Sequence, residues 1–337
     1  MRSRVALALA GACAAIAVMA IVAFSVGRFP ISMGDFLSVL WAGVTGGQHG
    51  LDPTVETVIY QIRGPRVAAA LLIGAALAGA GAAYQNMFRN PLVSPDILGV
   101  SAGAAMGAVL GIFLSLNVIA IQSLAFGFGL VAVGLVYVTA NAVRGHDPLL
   151  VLVLAGVVIG ALLGACVALM KYLADPYNQL PAITFWLLGS LASSAPQDVW
   201  STLPLILIGL VPLWLLRWRV NLLSLDDEEA RALGVETGKV RITVIVAATL
   251  MTAAAVSISG IIGWIGLVIP HFARMLVGPD FSRLLPTSIL LGAAFLLGVD
   301  TLARTVAQIE IPLGVLTAFV GTPLFLWQLA TARRGWQ

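Results

Sequence analysis

Charge is what this 337-residue chain has least of. Only 10% of its residues are Asp, Glu, Lys or Arg, against 60% hydrophobic, and its mean hydropathy is +1.02. A water-soluble domain of this length could not cover its surface with so few ionised groups, so a soluble enzyme or free binding module is excluded. Cysteine is nearly absent: Cys13 and Cys166 each sit inside an apolar run, without the spacing of a disulfide framework or a thiolate metal site. The three histidines, His49, His146 and His271, are scattered over loops and a helix end. No catalytic constellation, metal set or cofactor motif is present, so catalytic, cofactor and metal sites are each expected to be none. No phosphate-cradling glycine loop with Lys-Ser/Thr occurs either, so this chain is not expected to hydrolyse ATP. The net charge of +3 calls for no nucleic acid.

What is present is a succession of apolar runs near the ~20 residues that span a bilayer. They predict an all-α polytopic membrane protein with about ten transmembrane helices, a single membrane domain over 1–337. The expected spans are Val5–Val26, a run ending near Gln85, Pro95–Leu114, Ile119–Val143, Leu149–Leu173, Val199–Leu216, Val240–Ser259, Ile261–Val277, Leu284–Ala303 and Leu313–Thr331. The first has a basic start like a signal peptide, but its length and poor cleavage site favour a retained anchor. The ISMGDFLSVLWAG stretch reads as an amphipathic surface helix. Pro181–Ser190 is apolar but too short to span, and reads as re-entrant or interfacial. Ten spans place both termini on one side. Of 18 Lys and Arg, five (Arg28, Arg63, Arg66, Lys171, Arg304) then fall on the far side and 13 on the side of the termini, which makes the termini cytoplasmic.

Gly74–Gly103, GAALAGAGAAYQNMFRNPLVSPDILGVSAG, organises the rest. A small-residue helix face allows close backbone approach in a membrane. It ends in a polar elbow broken by Pro91 and Pro95. RNPL, SPDILG and the GA-rich helix after them resemble the signature of the permease subunit of ATP-binding-cassette importers for iron–siderophore complexes, haem and cobalamin. Gly263-Trp-Ile-Gly-Leu-Val-Ile-Pro-His-Phe-Ala-Arg274 agrees, with Trp264 where the family usually has Phe. The resemblance covers Arg63 almost to the C-terminus and implies the type II importer fold with an inverted repeat, which would relate spans two to five to spans seven to ten. It also implies a homodimer with two ATPase subunits below and a substrate-binding protein, periplasmic or lipid-anchored, above. Such a machine sits in the bacterial inner membrane, with the lipid bilayer as its surroundings.

Three groups of residues are candidates for function. The stretch 221–239 is the most polar of the chain. Ser224 and the acids Asp226, Asp227 and Glu228 suit the start of a short helix that Gly234 ends, either a solvated loop helix or a rigid knob for a partner. The resemblance identifies Glu229, Ala230, Arg231, Leu233 and Gly234 as the segment that couples to the ATPase. Arg63, Arg66 and Arg304 oppose the positive-inside bias. They either snorkel, Arg304 pairing with Asp300, or offer planar forks to a partner's carboxylates. The family's R-x-P-R and A-D-x-x-A-R segments dock glutamates of the binding protein, and here they read RGPR and VDTLAR. Glu310 could reach Arg304 or Arg66. Gly156, Gly160 and Gly164, with the Gly314 and Thr317 face of the last span, either pack closely or line a pathway. Asp147, Pro148 and Leu149 are placed near an inner gate, and Phe185 and Trp186 near an outer one. His271 is expected to brace backbone freed where Pro270 breaks its helix.

The implied activity is import of a bulky metal chelate by alternating access, an iron–siderophore first, with haem, cobalamin or molybdate as alternative cargoes. An ion-coupled carrier would instead need a buried charged cluster, and a scaffold without transport would tolerate charge along the pathway.

Overall fold

The computed structural model describes residues 2–27, 29, 31–47, 50–143 and 148–331, and among these there are helices and connections but no strand. Helix α1 (Arg2–Ser25) is followed by α2 (Met33–Thr45), which Ser32 caps by accepting from the Asp35 amide at 3.0 Å. Helix α2 is the amphipathic element expected, burying Val39 and Ala42. A continuous helical rod then runs through α3 (Pro53–Thr57), a π-helical turn at Val58–Arg63 and α4 (Gly64–Met87). The π turn stands just ahead of Pro65, where the chain must accommodate a residue with no amide donor. No feature of the sequence announced it.

Helix α4 is the axis of the bundle. Its composition has no polar stripe to turn outward, and from Ala76 to Met87 every residue is buried. Close packing is possible because two glycines meet backbone. A Cβ at Gly74 would overlap the Gly292 carbonyl, and one at Gly81 the Gly266 carbonyl. The helix ends at Phe88, and Arg89 takes a left-handed φ of 50°. Pro95–Leu98 forms one 3-10 turn, Gly99 reverses the chain at φ 78°, and α5 (Val100–Phe113) begins five residues later than expected.

Next come α6 (Val118–Ala142), α7 (Pro148–Leu173), the short α8 (Gln179–Leu188), α9 (Pro196–Leu215), α10 (Arg217–Leu222), α11 (Asp227–Ala232) and α12 (Thr237–Ser259). Residues 260–264 are irregular, so α13 starts at Ile265 rather than Ile261 and runs to Val277. The Ile265 amide donates to the Gly263 carbonyl at 2.9 Å across Trp264, whose φ is 72°. This is a tight γ-like turn that a bulky residue rarely adopts. Trp264 is held by α15 (Leu313–Thr331), against Gly321 and edge-on to Phe325. Helix α14 (Phe281–Ala303) completes the set.

Among the described residues, seven helices are long and apolar enough to cross a membrane, and shorter apolar helices at Val100–Phe113, Ile265–Val277 and Leu313–Gln328 stand where the third, eighth and tenth spans were expected. The fold is the expected all-helical one, and the inverted repeat is visible in the packing. Exchanging α4, α5, α6 and α7 with α12, α13, α14 and α15 leaves the pattern of neighbours in place: α4 packs on α14 and α13 as α12 packs on α6 and α5, and α5 packs on α6 as α13 does on α14.

Two local expectations are corrected. Pro270 does not break its helix but lies inside α13. The carbonyl its ring leaves without a donor, four residues back, is Gly266, and Gln85 supplies the bracing, donating from Nε2 to Leu267 O at 2.9 Å and to Gly266 O at 3.5 Å. His271 does not brace that turn, and its Nδ1 is buried without a partner. Ser224 does not cap α11 either. Its hydroxyl donates back to Asn221 O at 2.8 Å, and Asp226 occupies the cap position.

Candidate functional site

The candidate residues gather at the two ends of α4, whose 24 residues separate them by about 35 Å at ~1.5 Å per residue, close to the ~30 Å of a bilayer's hydrocarbon core.

At the beginning of α4, Arg63, Arg66 and Arg304 lie together, and each is already engaged inside the chain. Arg63 is buried and donates to the carbonyls of Phe24 and Phe29. Arg304 donates to Ala23 O and, at 3.0 Å, to Val26 O. The two guanidinium groups therefore satisfy the carbonyls at the C-terminal end of α1, where helical backbone lacks donors and carries partial negative charge. Arg66 holds Asp300 through Nε at 2.9 Å and Nη2 at 2.8 Å, and also grips Glu310. Asp300 is 1% exposed, Arg66 12% and Glu310 29%. Arg304 lies 3.9 Å from Asp300, so the pair at spacing four is the weaker of its contacts. Burial, with Arg66 and Arg63 nearby, lowers the affinity of the Arg304 guanidinium for its proton, while Asp300 opposes the shift.

At the far end of α4, the elbow holds the polar segment. Arg89 donates from Nε to Leu223 O at 2.9 Å, to Leu225 O, and pairs with Asp226 at 3.0 Å. Arg241 at the start of α12 grips Asp227 in a fork at 3.0 and 2.6 Å. Ala230, Leu223 and Val235 are buried beneath α11. The anchored turn presents Glu229, Arg231, Leu233 and Gly234 to solvent. Gly234 ends it at φ 82°. Arg89 is the positioning residue that sequence reasoning missed. In the sequence it belongs to the polar elbow and the RNPL signature, and contacts 134 to 137 residues away have no local pattern to reveal them.

Between the ends, α7 starts beside the anchored turn. Pro148 and Leu149 line a cavity of about 580 Å³ with Arg89, Asp226 and Arg241. Asp147 lies outside the described residues, as do Arg28, His49, Arg144, His146, Arg333 and Arg334. Gly156 is a packing residue, since a Cβ there would overlap Ile97 O, whereas Gly160 and Gly164 face open space. Gly314 packs against the carbonyls of Leu188 and Ile261, and the buried Thr317 hydroxyl donates to Gly314 O at 3.1 Å. Phe185 is exposed and Trp186 half-buried on α8, at the Arg304 end. Helix α8 is tied to α15 there, the Leu313 amide donating to Gly189 O at 2.9 Å. Among the described residues no group of His, Cys, Asp and Glu is arranged to hold a metal.

The model of the FecCD transport family matches residues 15–331. The chain belongs to the FecCD transport family. Among its relatives is the molybdate import permease MolB of Haemophilus influenzae, 40% identical over 94% of each chain. The "probable iron chelatin transport system permease protein" of Helicobacter pylori is 44% identical over 83% of this chain and 84% of its own. A solved transporter described as of metal-chelate type, in an inward-facing conformation, superposes with a TM-score of 0.86 at 38% identity, covering 96% of this chain and 98% of its own. This FecCD chain is thus a multi-pass membrane permease of an ATP-binding-cassette importer with the type II fold, as the motifs implied. Its relatives are permease subunits, in keeping with a chain that carries no nucleotide-binding loop of its own.

Proposed function

We propose that this FecCD permease imports a bulky metal chelate, an iron–siderophore first, across a bacterial inner membrane by alternating access, as a homodimer served by two separate ATPase subunits and a substrate-binding protein. The observation that carries the reading is the anchored turn: Glu229, Ala230, Arg231, Leu233 and Gly234 stand at the far end of α4 from Arg63 and Arg304, the end at which α1 starts and α15 finishes. The ATPase would seat this knob, and the carboxylates of the binding protein would meet Arg63, Arg66 and Arg304 at the other end. The 13-to-5 distribution of Lys and Arg supports cytoplasmic termini. Closing the two knobs on ATP binding would tilt α7 and α15, moving Pro148 and Leu149 at the inner gate and Phe185 and Trp186 at the outer one, with Gly160 on the open face of the pathway. Asp147 is assigned to the inner gate from sequence alone. Haem and cobalamin remain alternative cargoes.

Molybdate is the second reading, favoured by the identity to MolB across nearly the whole chain. The test is uptake by a strain lacking only this gene, offered ferric siderophores, haem, cobalamin and molybdate. Loss confined to a ferric siderophore supports the first reading, loss confined to molybdate the second, and retained uptake of all four overturns both.

A further inference from the structure

Helices α6 and α12 meet at one level and part at another. At Gly129 they touch, a Cβ there falling 3.3 Å from the Ala253 methyl. Toward the start of α12 they diverge and leave an open groove of about 400 Å³. Leu130 and Tyr137 form one wall, and Ile242, Val246 and Leu250 the other. Gly134 leaves its α6 side unfilled, with nothing within 4 Å of where a Cβ would stand. Of its lining residues only Tyr137 and Thr249 carry a hydroxyl; that of Thr249 lies 3.2 Å from Tyr84 Oη, and the other seven are aliphatic or glycine, so the groove favours an apolar occupant over water.

The dimensions and the one polar mouth say which. From Ile242 to Leu250 the groove follows eight residues of helix, about 12 Å at ~1.5 Å each, most of the ~15 Å of hydrocarbon in one leaflet. Lys239 stands on the same face of α12, one turn beyond Ile242, and its side chain is 78% exposed. Its pair with the equally exposed Glu236, at 2.6 Å, is of the kind that contributes little, and an ammonium has three donors to share. Asn141 continues the α6 wall to the same level and is exposed.

We propose that this groove is a lipid site, holding one acyl chain of an anionic phospholipid whose phosphate meets Lys239. The site is independent of the cargo and of both docking surfaces. The experiment is native mass spectrometry of the purified full chain, titrated with phosphatidylglycerol and with phosphatidylcholine of the same acyl chains. The wild type should retain one phosphatidylglycerol per chain, with roughly fivefold preference over phosphatidylcholine, the effect of one lysine at an anionic surface. Lys239→Gln should abolish the preference and keep the chain bound. Gly134→Phe, filling the groove from α6, and Val246→Trp, filling it from α12, should each remove the retained lipid. Val138→Phe, on a neighbouring exposed position of α6, should not. Retention by both filled variants equal to wild type overturns the proposal, as does equal affinity of the wild type for the two headgroups. It is also overturned if Val246→Cys crosslinks efficiently to itself between copies, because a second chain then covers the groove.

Discussion

Arg66 makes the sharpest statement available at the scale of one residue. It faces two carboxylates of different burial, so their removal should have unequal cost. Asp300→Asn leaves a nearly buried guanidinium without its fork and should destabilise the protein by about 3 kcal/mol. Glu310→Gln removes a partly solvated partner and should cost under ~1 kcal/mol. Thermal unfolding of the two variants in the same detergent decides this, and equal losses would mean that Glu310 is as integral as Asp300. Arg231, by contrast, is exposed, and its side chain makes no hydrogen bond or ion pair among the described residues. Arg231→Glu should leave the protein folded and abolish ATP-dependent uptake, and unchanged uptake would remove this turn from the proposed coupling role.

At the scale of the element, the glycines divide into those whose missing Cβ is occupied by a neighbour and those that face space. Gly74 and Gly81 of α4 meet carbonyls of Gly292 and Gly266, so Gly81→Ala has to move α4 away from α13. It should lose several kcal/mol, as overpacking at a rigid contact does at the upper end of its range. Gly160→Ala, with no atom within 4 Å, should express and unfold like wild type. A solubility and melting comparison of the two separates packing from pathway more cleanly than activity would. Composition alone could not make this division: GAALAGAGAA shows that helices approach closely, and GAGAA does not say which glycine meets which backbone. The polar segment behaves likewise. Its acids and Gly234 announced a short helix, yet its rigidity comes from Arg89 and Arg241, one of them over 130 residues distant. Arg89→Ala should therefore weaken uptake with little effect on ATP hydrolysis by the ATPase subunits, because the knob is still present but no longer held.

Across the whole molecule, hydropathy was enough to place the long apolar helices, since a lipid environment forces each backbone group to be satisfied within a helix. It failed where helices start irregularly. Pro95 and Ile261 are apolar or helix-compatible in composition, and only the turns at Gly99 and Trp264 set the true starts of α5 and α13. The three arginines proposed for docking were legible one by one in the sequence, but the network that holds them was not. Because Arg63 and Arg304 also hold α1, changing all three arginines to Glu would disturb the fold as well as the surface. Arg66→Gln is the cleaner probe. It should weaken capture of the binding protein by permease in nanodiscs, with a loss that shrinks as salt rises. A loss of the same size at every ionic strength would argue against a charge-steered surface.

The grip of Arg63 and Arg304 on the end of α1 also orders events in time. Helix α1 is synthesised well before Arg304, which comes 278 residues after the Val26 carbonyl it holds. Until the ribosome has passed residue 304, half of that clasp does not exist. A product truncated before residue 304 would leave the Ala23 and Val26 carbonyls at the end of α1 unclaimed, a mark by which membrane quality control could tell an unfinished permease from a finished one.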